Sequence, residues 1–141
     1  MSAHSRNKGS RVEREIAQDL ESLTGIRFSR NLEQVRSADQ GDLIPDDPAW
    51  PFAIEIKARK EASPCLTAWK EQSTKAAAAC SKLPCVVMKF DRTKPRVAVP
   101  FAAIARAFGG ESTVHDWAEI TLDGLAFLAR EMMAAQAEVD A

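Results

Sequence analysis

The sequence is poor in the residues on which several kinds of active site depend. Its only two histidines, His4 and His115, stand far apart and belong to no His-centred triad or HxxxH zinc motif. Neither a P-loop nor a GxGxxG motif after a strand is present, which argues against nucleotide hydrolysis and dinucleotide chemistry. The three cysteines lack CxxC spacing and lie in apolar stretches, so we expect small buried hydrophobic residues rather than zinc ligands or disulfides.

Long apolar runs are also missing. No stretch approaches the length of a membrane-spanning helix, and the N-terminus has no apolar core of the kind that a signal peptide needs. With 45% hydrophobic and 28% charged residues, the 141-residue chain has the composition and length of one globular domain. We therefore expect a cytoplasmic protein without membrane contact, with a flexible basic arm over residues 1–9 and a single domain over residues 10–141.

Charge is nearly balanced overall but not along the chain. The net charge is −1, yet residues 111–141 hold seven acids and one arginine, which leaves 18 of the 19 basic and 13 of the 20 acidic residues for the first 110. The basic residues concentrate within positions 6–14 and 27–36, and such clusters suit a phosphate backbone. A solvated charged surface explains them equally well, because only convergence on one face would indicate nucleic acid.

Hydrophobic periodicity and turn residues predict an α/β protein. The predicted elements are helices beginning near Ser10, at Ser63-Pro64, at Phe101 and near Leu122, and strands over 25–30, 43–44, 52–57, 86–90 and 96–99. The strands are bracketed by helices, which favours a central mixed β-sheet flanked by helices.

The predicted strand over residues 52–57 is the most informative segment, because it ends in Glu-x-Lys. Side chains alternate along a strand, so Glu55 and Lys57 share one face, about 7 Å apart, while Ile54 and Ile56 point to the other. A carboxylate that holds Mg²⁺ and a neighbouring ammonium suit phosphodiester hydrolysis. The same alternation is typical of any half-exposed strand with solvated charges, where truncation to alanine would be tolerated.

Three further polar residues have both a structural and a catalytic interpretation. Glu13 borders the apolar face of the first helix, where it either closes a capping box with Ser10 or contributes to a metal site. Asp42 follows Gly41 at the start of a short strand, so it is either a turn residue or a metal ligand beside Glu55. Gln72 is the one strongly polar member of its helix face, and it either bonds a backbone group or orients a water or phosphate.

Taken together, these residues resemble those of the PD-(D/E)xK nuclease superfamily, and within it the archaeal-type Holliday junction resolvases and related phage resolvase-like nucleases. The likeness covers about residues 8–90 and rests on four parts, which are Lys8-Gly9-Ser10 followed by Glu13, Gly41-Asp42, Glu55-x-Lys57 and Gln72. The proline of the motif name is absent before Asp42, where Gly41 stands. Residues 101–141 match no motif of these nucleases.

The resemblance implies a restriction-endonuclease-like core and a metal-dependent DNA endonuclease. Mg²⁺ or Mn²⁺ would be held by Asp42, Glu55 and the Ile56 carbonyl with help from Glu13, Lys57 would activate water, and Gln72 would assist. The products would carry 5′-phosphate and 3′-hydroxyl ends. The residues expected to contact DNA are Lys8, Ser10, Arg11, Arg14, Arg30 and Arg36.

The substrate implied is a four-way junction in DNA recombination and repair, which a homodimer with two active sites would match in symmetry. Two alternatives stay open. One is a phage or mobile-element nuclease that acts on duplex or other branched DNA, because the active-site residues contact phosphate while distant surfaces recognise shape. The other is a non-catalytic DNA-binding protein with the same fold.

Overall fold

The computed structural model describes residues 3–32 and 41–141, and these form four helices and six strands. In chain order the elements are α1 (Ala3–Thr24), β1 (Phe28–Arg30), β2 (Leu43–Pro45), β3 (Phe52–Arg59), α2 (Thr67–Ala79), β4 (Leu83–Phe90), β5 (Arg96–Pro100), α3 (Phe101–Ala107), β6 (Trp117–Thr121) and α4 (Leu122–Asp140). Within the described residues no helix is both long and apolar enough to cross a bilayer.

The central sheet is mixed, as the sequence predicts. Its strand order is β3-β4-β5-β6, with β3 and β4 parallel and the other two pairs antiparallel. Helix α2 makes the crossover that a parallel pair requires. Strands β1 and β2 form a separate antiparallel pair, which meets the free edge of β3 through a bridge between Gly41 and Ile54.

The two faces of the sheet are covered by different helices. On one face, Ile54, Val87 and Val97 belong to a core cluster with apolar residues of α1, α3 and α4. On the other, Val86, Met88 and Phe90 pack against Trp69 of α2. Strands β4, β5 and β6 therefore contribute alternate residues to two hydrophobic layers, which is the expected result for a sheet covered on both sides.

Two predicted helix starts are wrong. Helix α1 begins at Ala3, so residues 3–9 belong to a helix rather than to a flexible arm, and Gly9 is accommodated inside it at a cost of about 1 kcal/mol. Helix α2 begins at Thr67 with no side-chain cap. The Ser63 hydroxyl donates to the Pro64 carbonyl instead of capping a helix, and the chain stays irregular until Leu66.

Strand β6 is absent from the sequence prediction, because the polar segment before α4 has no long apolar run. It forms by pairing its whole length with β5, from Trp117 opposite Pro100 to Thr121 opposite Arg96. An ion pair between Arg96 and Glu119 joins the same two strands. The cysteines also differ in part from expectation: Cys85 is buried, whereas Cys65 and Cys80 are half-buried.

Candidate active site

The charged end of β3 lies on the face that α2 covers. Ile54 and Ile56 belong to the opposite core cluster, so the predicted separation of the two sets of side chains is confirmed. Glu55 is only 3% exposed, however, and the expectation of a tolerant exposed position is wrong for it. Burial, with a smaller contribution from the negative charge of Glu55, raises the pKa of the neighbouring Cys85 thiol, which therefore stays protonated.

Asp42 is attached to the free edge of β3 by two hydrogen bonds. Its backbone N–H donates to the Ile54 carbonyl at 2.7 Å, and its carboxylate Oδ2 accepts the Ile56 N–H, also at 2.7 Å. Asp42 is 7% exposed. Because the N–H and C=O of one strand residue point to the same side, the Ile56 carbonyl is directed to the edge at which Asp42 lies.

Gly41 makes this attachment possible. Its φ is +79°, and a Cβ built on it would lie 2.6 Å from the Ile54 carbonyl oxygen. Any other residue would both strain the backbone and collide with β3. The position before Asp42 therefore requires the absence of a side chain, which accounts for glycine where the motif name has proline.

Asn31 is a site residue that the sequence does not reveal. It is 6% exposed, its side-chain Nδ2 donates to the Gly41 carbonyl at 2.8 Å, and its backbone N–H donates to the Asp42 carbonyl at 3.0 Å. It follows directly on β1, so the pairing of β1 with β2 brings it to the turn. Only that long-range pairing could have identified Asn31, because its local sequence is ordinary.

Lys57 and Gln72 are joined directly. The Lys57 ammonium donates to Gln72 Oε1 at 2.7 Å, across the interface between β3 and α2. This bond differs from both interpretations of Gln72, because its partner is the Lys57 side chain rather than a backbone group, a water or a phosphate. Arg59, two residues further along the same face, lies with its guanidinium 5.4 Å from the Trp69 ring centroid. Strand alternation would have placed Arg59 beside Lys57.

Glu13 does not close a capping box, because Ser10 lies inside α1 rather than at its start. Instead Glu13 Oε1 accepts from Arg30 Nε at 3.3 Å, and Arg30 Nη2 donates to the Ser10 hydroxyl at 2.9 Å. The structure thus gathers three residues of the sequence prediction into one cluster, which connects α1 to β1.

Among the described residues, the acidic side chains do not form a three-ligand metal cage. Within residues 3–32 and 41–141, no three side chains of the His, Cys, Asp and Glu types are close enough to hold one ion. Helix α1 packs on the face to which Ile54 points, whereas Glu55 shares the opposite face with Lys57, whose ammonium bonds Gln72 of α2. The donor set at the β3 edge consists of two buried carboxylates and one backbone carbonyl.

The remaining predicted DNA-contacting residues are spread along α1. Lys8 forms an ion pair with Asp91 in the β4–β5 turn, and Arg11 pairs loosely with Glu15. Arg14 is exposed. Arg36 lies outside the described residues.

Comparisons with known proteins agree on the kind of protein this is. The family model described as "Phage putative PDDEXK endonuclease" matches residues 4–130. Among solved structures, the fold is similar to Archaeoglobus fulgidus Hjc, a Holliday junction resolvase from an archaeal hyperthermophile. The identity is 25% and the TM-score 0.50, over 66% of this chain and 76% of that one. No curated protein matches the chain.

Proposed function

Because this chain belongs to the phage PDDEXK endonuclease family, we propose that it is a metal-dependent, structure-selective DNA endonuclease that cuts four-way junctions. One observation carries the proposal: the bond from the Ile56 N–H to Asp42 Oδ2 fixes a buried carboxylate beside Glu55, at the free edge of the strand that ends in Lys57. The likeness to the archaeal resolvase supports the choice of substrate.

The residues at this edge fit a hard divalent cation. Mg²⁺ is commonly bound through one or two carboxylates and substrate phosphate, and Asp42, Glu55 and the Ile56 carbonyl would offer such a set to Mg²⁺ or Mn²⁺. Such a cation, when bound, polarises the phosphate and lowers the pKa of water. We place Glu13 outside this set, because its carboxylate is bonded to Arg30.

The side chains of the protein would each have a defined task. Lys57 would orient the attacking water and offset negative charge on the phosphoryl group, while Gln72 Oε1 holds its ammonium at 2.7 Å. Water would add to phosphorus, and the bond from phosphorus to the 3′ oxygen would break, which leaves 5′-phosphate and 3′-hydroxyl ends. Glu13 would hold Arg30 in position to contact a neighbouring phosphate.

A four-way junction has two strands to cut, and a homodimer would present two such sites with matching symmetry. Arg11 and Arg14 on α1 and Arg59 on β3 supply exposed positive charge for the DNA backbone. This arrangement would recognise backbone and shape rather than base sequence.

Strand cleavage of matched substrates tests the proposal. The purified protein is incubated with a labelled four-way junction, a linear duplex and a single strand of the same sequence, with Mg²⁺ or with EDTA. Paired symmetric nicks in the junction, only with metal, are expected. Equal cutting of the junction and the duplex would reject structure selectivity, and no cutting with Mg²⁺ or Mn²⁺ would reject the nuclease.

A further inference from the structure

A groove lies on the outer side of α2, separate from the β3 edge. Its volume is about 560 Å³, and it opens between α2 and the segment that leads into β6. Its lining residues are Thr67, Lys70, Glu71, Thr74, Lys75, Ala78, His115 and Trp117. Nothing in the catalytic arrangement uses these residues.

The chemistry of the groove suits an unpaired nucleic-acid strand. Its lining contains two lysines and one glutamate, and in the described part of the chain neither Lys70 nor Lys75 forms a salt bridge. The Lys70 ammonium lies 5.9 Å from the centroid of the Trp117 ring. The face of the Trp117 indole is therefore reached from the groove, and a base can stack on it. The Lys70 ammonium would then move from the ring to a phosphate of the bound strand.

The groove is also placed to extend the active site. Gln72, which bonds Lys57, and Lys75 are three residues apart on α2, so they lie on adjacent turns of one helix surface. A strand with its phosphate at Lys57 would cross α2 at Lys75 and continue towards Lys70 and Trp117. Duplex DNA would not follow this path, because its bases are paired and stacked inside the helix.

We infer that the Lys70–Lys75–Trp117 groove binds an unpaired single strand of the DNA substrate beside the cleaved phosphate. This inference goes beyond the proposed function and rests on it only for the position of the phosphate. Beside the fully paired four-way junction, it adds to the substrates of the chain branched DNA in which an unpaired strand adjoins a duplex.

Binding in EDTA tests the groove without cleavage. The full-length protein is titrated with a labelled oligothymidylate of about ten nucleotides, a length within the usual range of single-strand sites. Lys70→Gln and Lys75→Gln are each expected to lower the magnitude of the slope of log affinity against log salt by about 0.7. Trp117→Leu is expected to weaken binding about 5- to 100-fold, since base stacking is lost. Arg106→Gln, which removes one charge from exposed α3, is the matched control and should change nothing.

Because Trp117 is partly packed against the α2 cluster, thermal melting checks that Trp117→Leu is folded. The Lys75→Gln variant tests the groove without changing Trp117 or Lys70, whose ammonium lies over the Trp117 ring. Unchanged affinity and salt slope in both lysine variants would overturn the inference, whether or not the wild-type protein cleaves duplex DNA. Loss of affinity in the groove variants but not in Arg106→Gln would support the groove even if no substrate is cut. Failure of the nuclease proposal would appear only in the cleavage assay, so the two failures are distinguishable.

Discussion

At the scale of single residues, the site depends on contacts that are short and specific. Asp42, Glu55 and Lys57 follow from the sequence pattern, since strand alternation and a Gly-Asp turn are local signals. The burial of Glu55 does not follow from it, because burial depends on packing between distant segments. The part played by Asn31 does not follow either, because it depends on the pairing of β1 with β2.

Lys57 is expected to be essential to turnover but not to folding. Lys57→Met removes the ammonium while keeping an unbranched side chain on a half-buried strand position. The rate of strand cleavage should fall on the order of 10²- to 10⁴-fold, with the melting temperature little changed. Lys94→Met, in the exposed β4–β5 turn, is the control for loss of charge. Retention of the full rate in Lys57→Met would remove Lys57 from the mechanism.

Gly41 is expected to be irreplaceable for two separable reasons, a positive φ and the closeness of β3. Gly109 has the same backbone conformation, with φ of +80°, but a Cβ on it would meet nothing within 4 Å, so Gly109→Ala measures the conformational cost alone, about 1 kcal/mol. Gly41→Ala should cost about 1–3 kcal/mol more, because the new methyl group meets the Ile54 carbonyl. Urea denaturation measures the free energy of unfolding of both variants. Equal losses of stability in Gly41→Ala and Gly109→Ala would show that the close approach of Gly41 to Ile54 is unimportant.

At the scale of elements, the connection of α1 to β1 runs through Glu13 and Arg30, whose side chains are 22% and 28% exposed. Glu13→Gln should lower stability by no more than about 1 kcal/mol, as for other partly exposed ion pairs. If the role of Glu13 is to hold Arg30 in position, Glu13→Gln should weaken DNA binding and leave the Mn²⁺ affinity, measured by calorimetry, unchanged. A large fall in Mn²⁺ affinity would instead make Glu13 a metal ligand.

The ion pair between Lys8 and Asp91 connects α1 to the β4–β5 turn and predicts a pH dependence. The hydrogen bond from Lys8 is the main cause that lowers the pKa of Asp91. As the pH falls, Asp91 is therefore protonated at a higher pH in the unfolded chain than in the folded protein. The stabilisation from the pair is complete above about pH 4 and is lost as the pH falls through the lowered pKa.

Asp91→Asn checks this dependence. The melting temperature of the wild type should exceed that of the variant at pH 7, and the difference should shrink steadily below about pH 4. A difference that stays constant from pH 7 to the acid side would show that Asp91 acts through something other than its charge.

Element boundaries are the least predictable part of the fold. The sequence identifies strand β3 with its Glu-x-Lys motif, the β4–β5 hairpin and the final helix, because each has a strong apolar pattern. The sequence places the starts of α1 and α2 wrongly, because a serine in a pattern typical of an N-cap does not always begin a helix. Ser10 lies inside α1, and Ser63 lies in the irregular segment before α2. The sequence misses β6, whose formation depends on the β5 edge rather than on its own residues.

At the scale of the whole molecule, the two faces of the sheet have separate tasks. One is covered by α1, α3 and α4 and holds most of the core, whereas the other carries Glu55, Lys57 and α2. Under these proposals helix α2 serves two sites: Gln72 is bonded to Lys57, the proposed catalytic lysine, and Lys70 and Lys75 border the groove.

The most direct test of the central claim is metal-dependent cleavage by a variant that changes only Asp42. A labelled four-way junction is incubated with the wild type or with Asp42→Asn, in Mg²⁺, in Mn²⁺ and in EDTA, after melting curves have shown both proteins to be folded. We predict that the wild type cuts the junction with either metal and not in EDTA, and that Asp42→Asn loses on the order of 10² or more of the rate. Undiminished cutting by Asp42→Asn, or cutting by the wild type in EDTA, would contradict a metal site at the edge of β3.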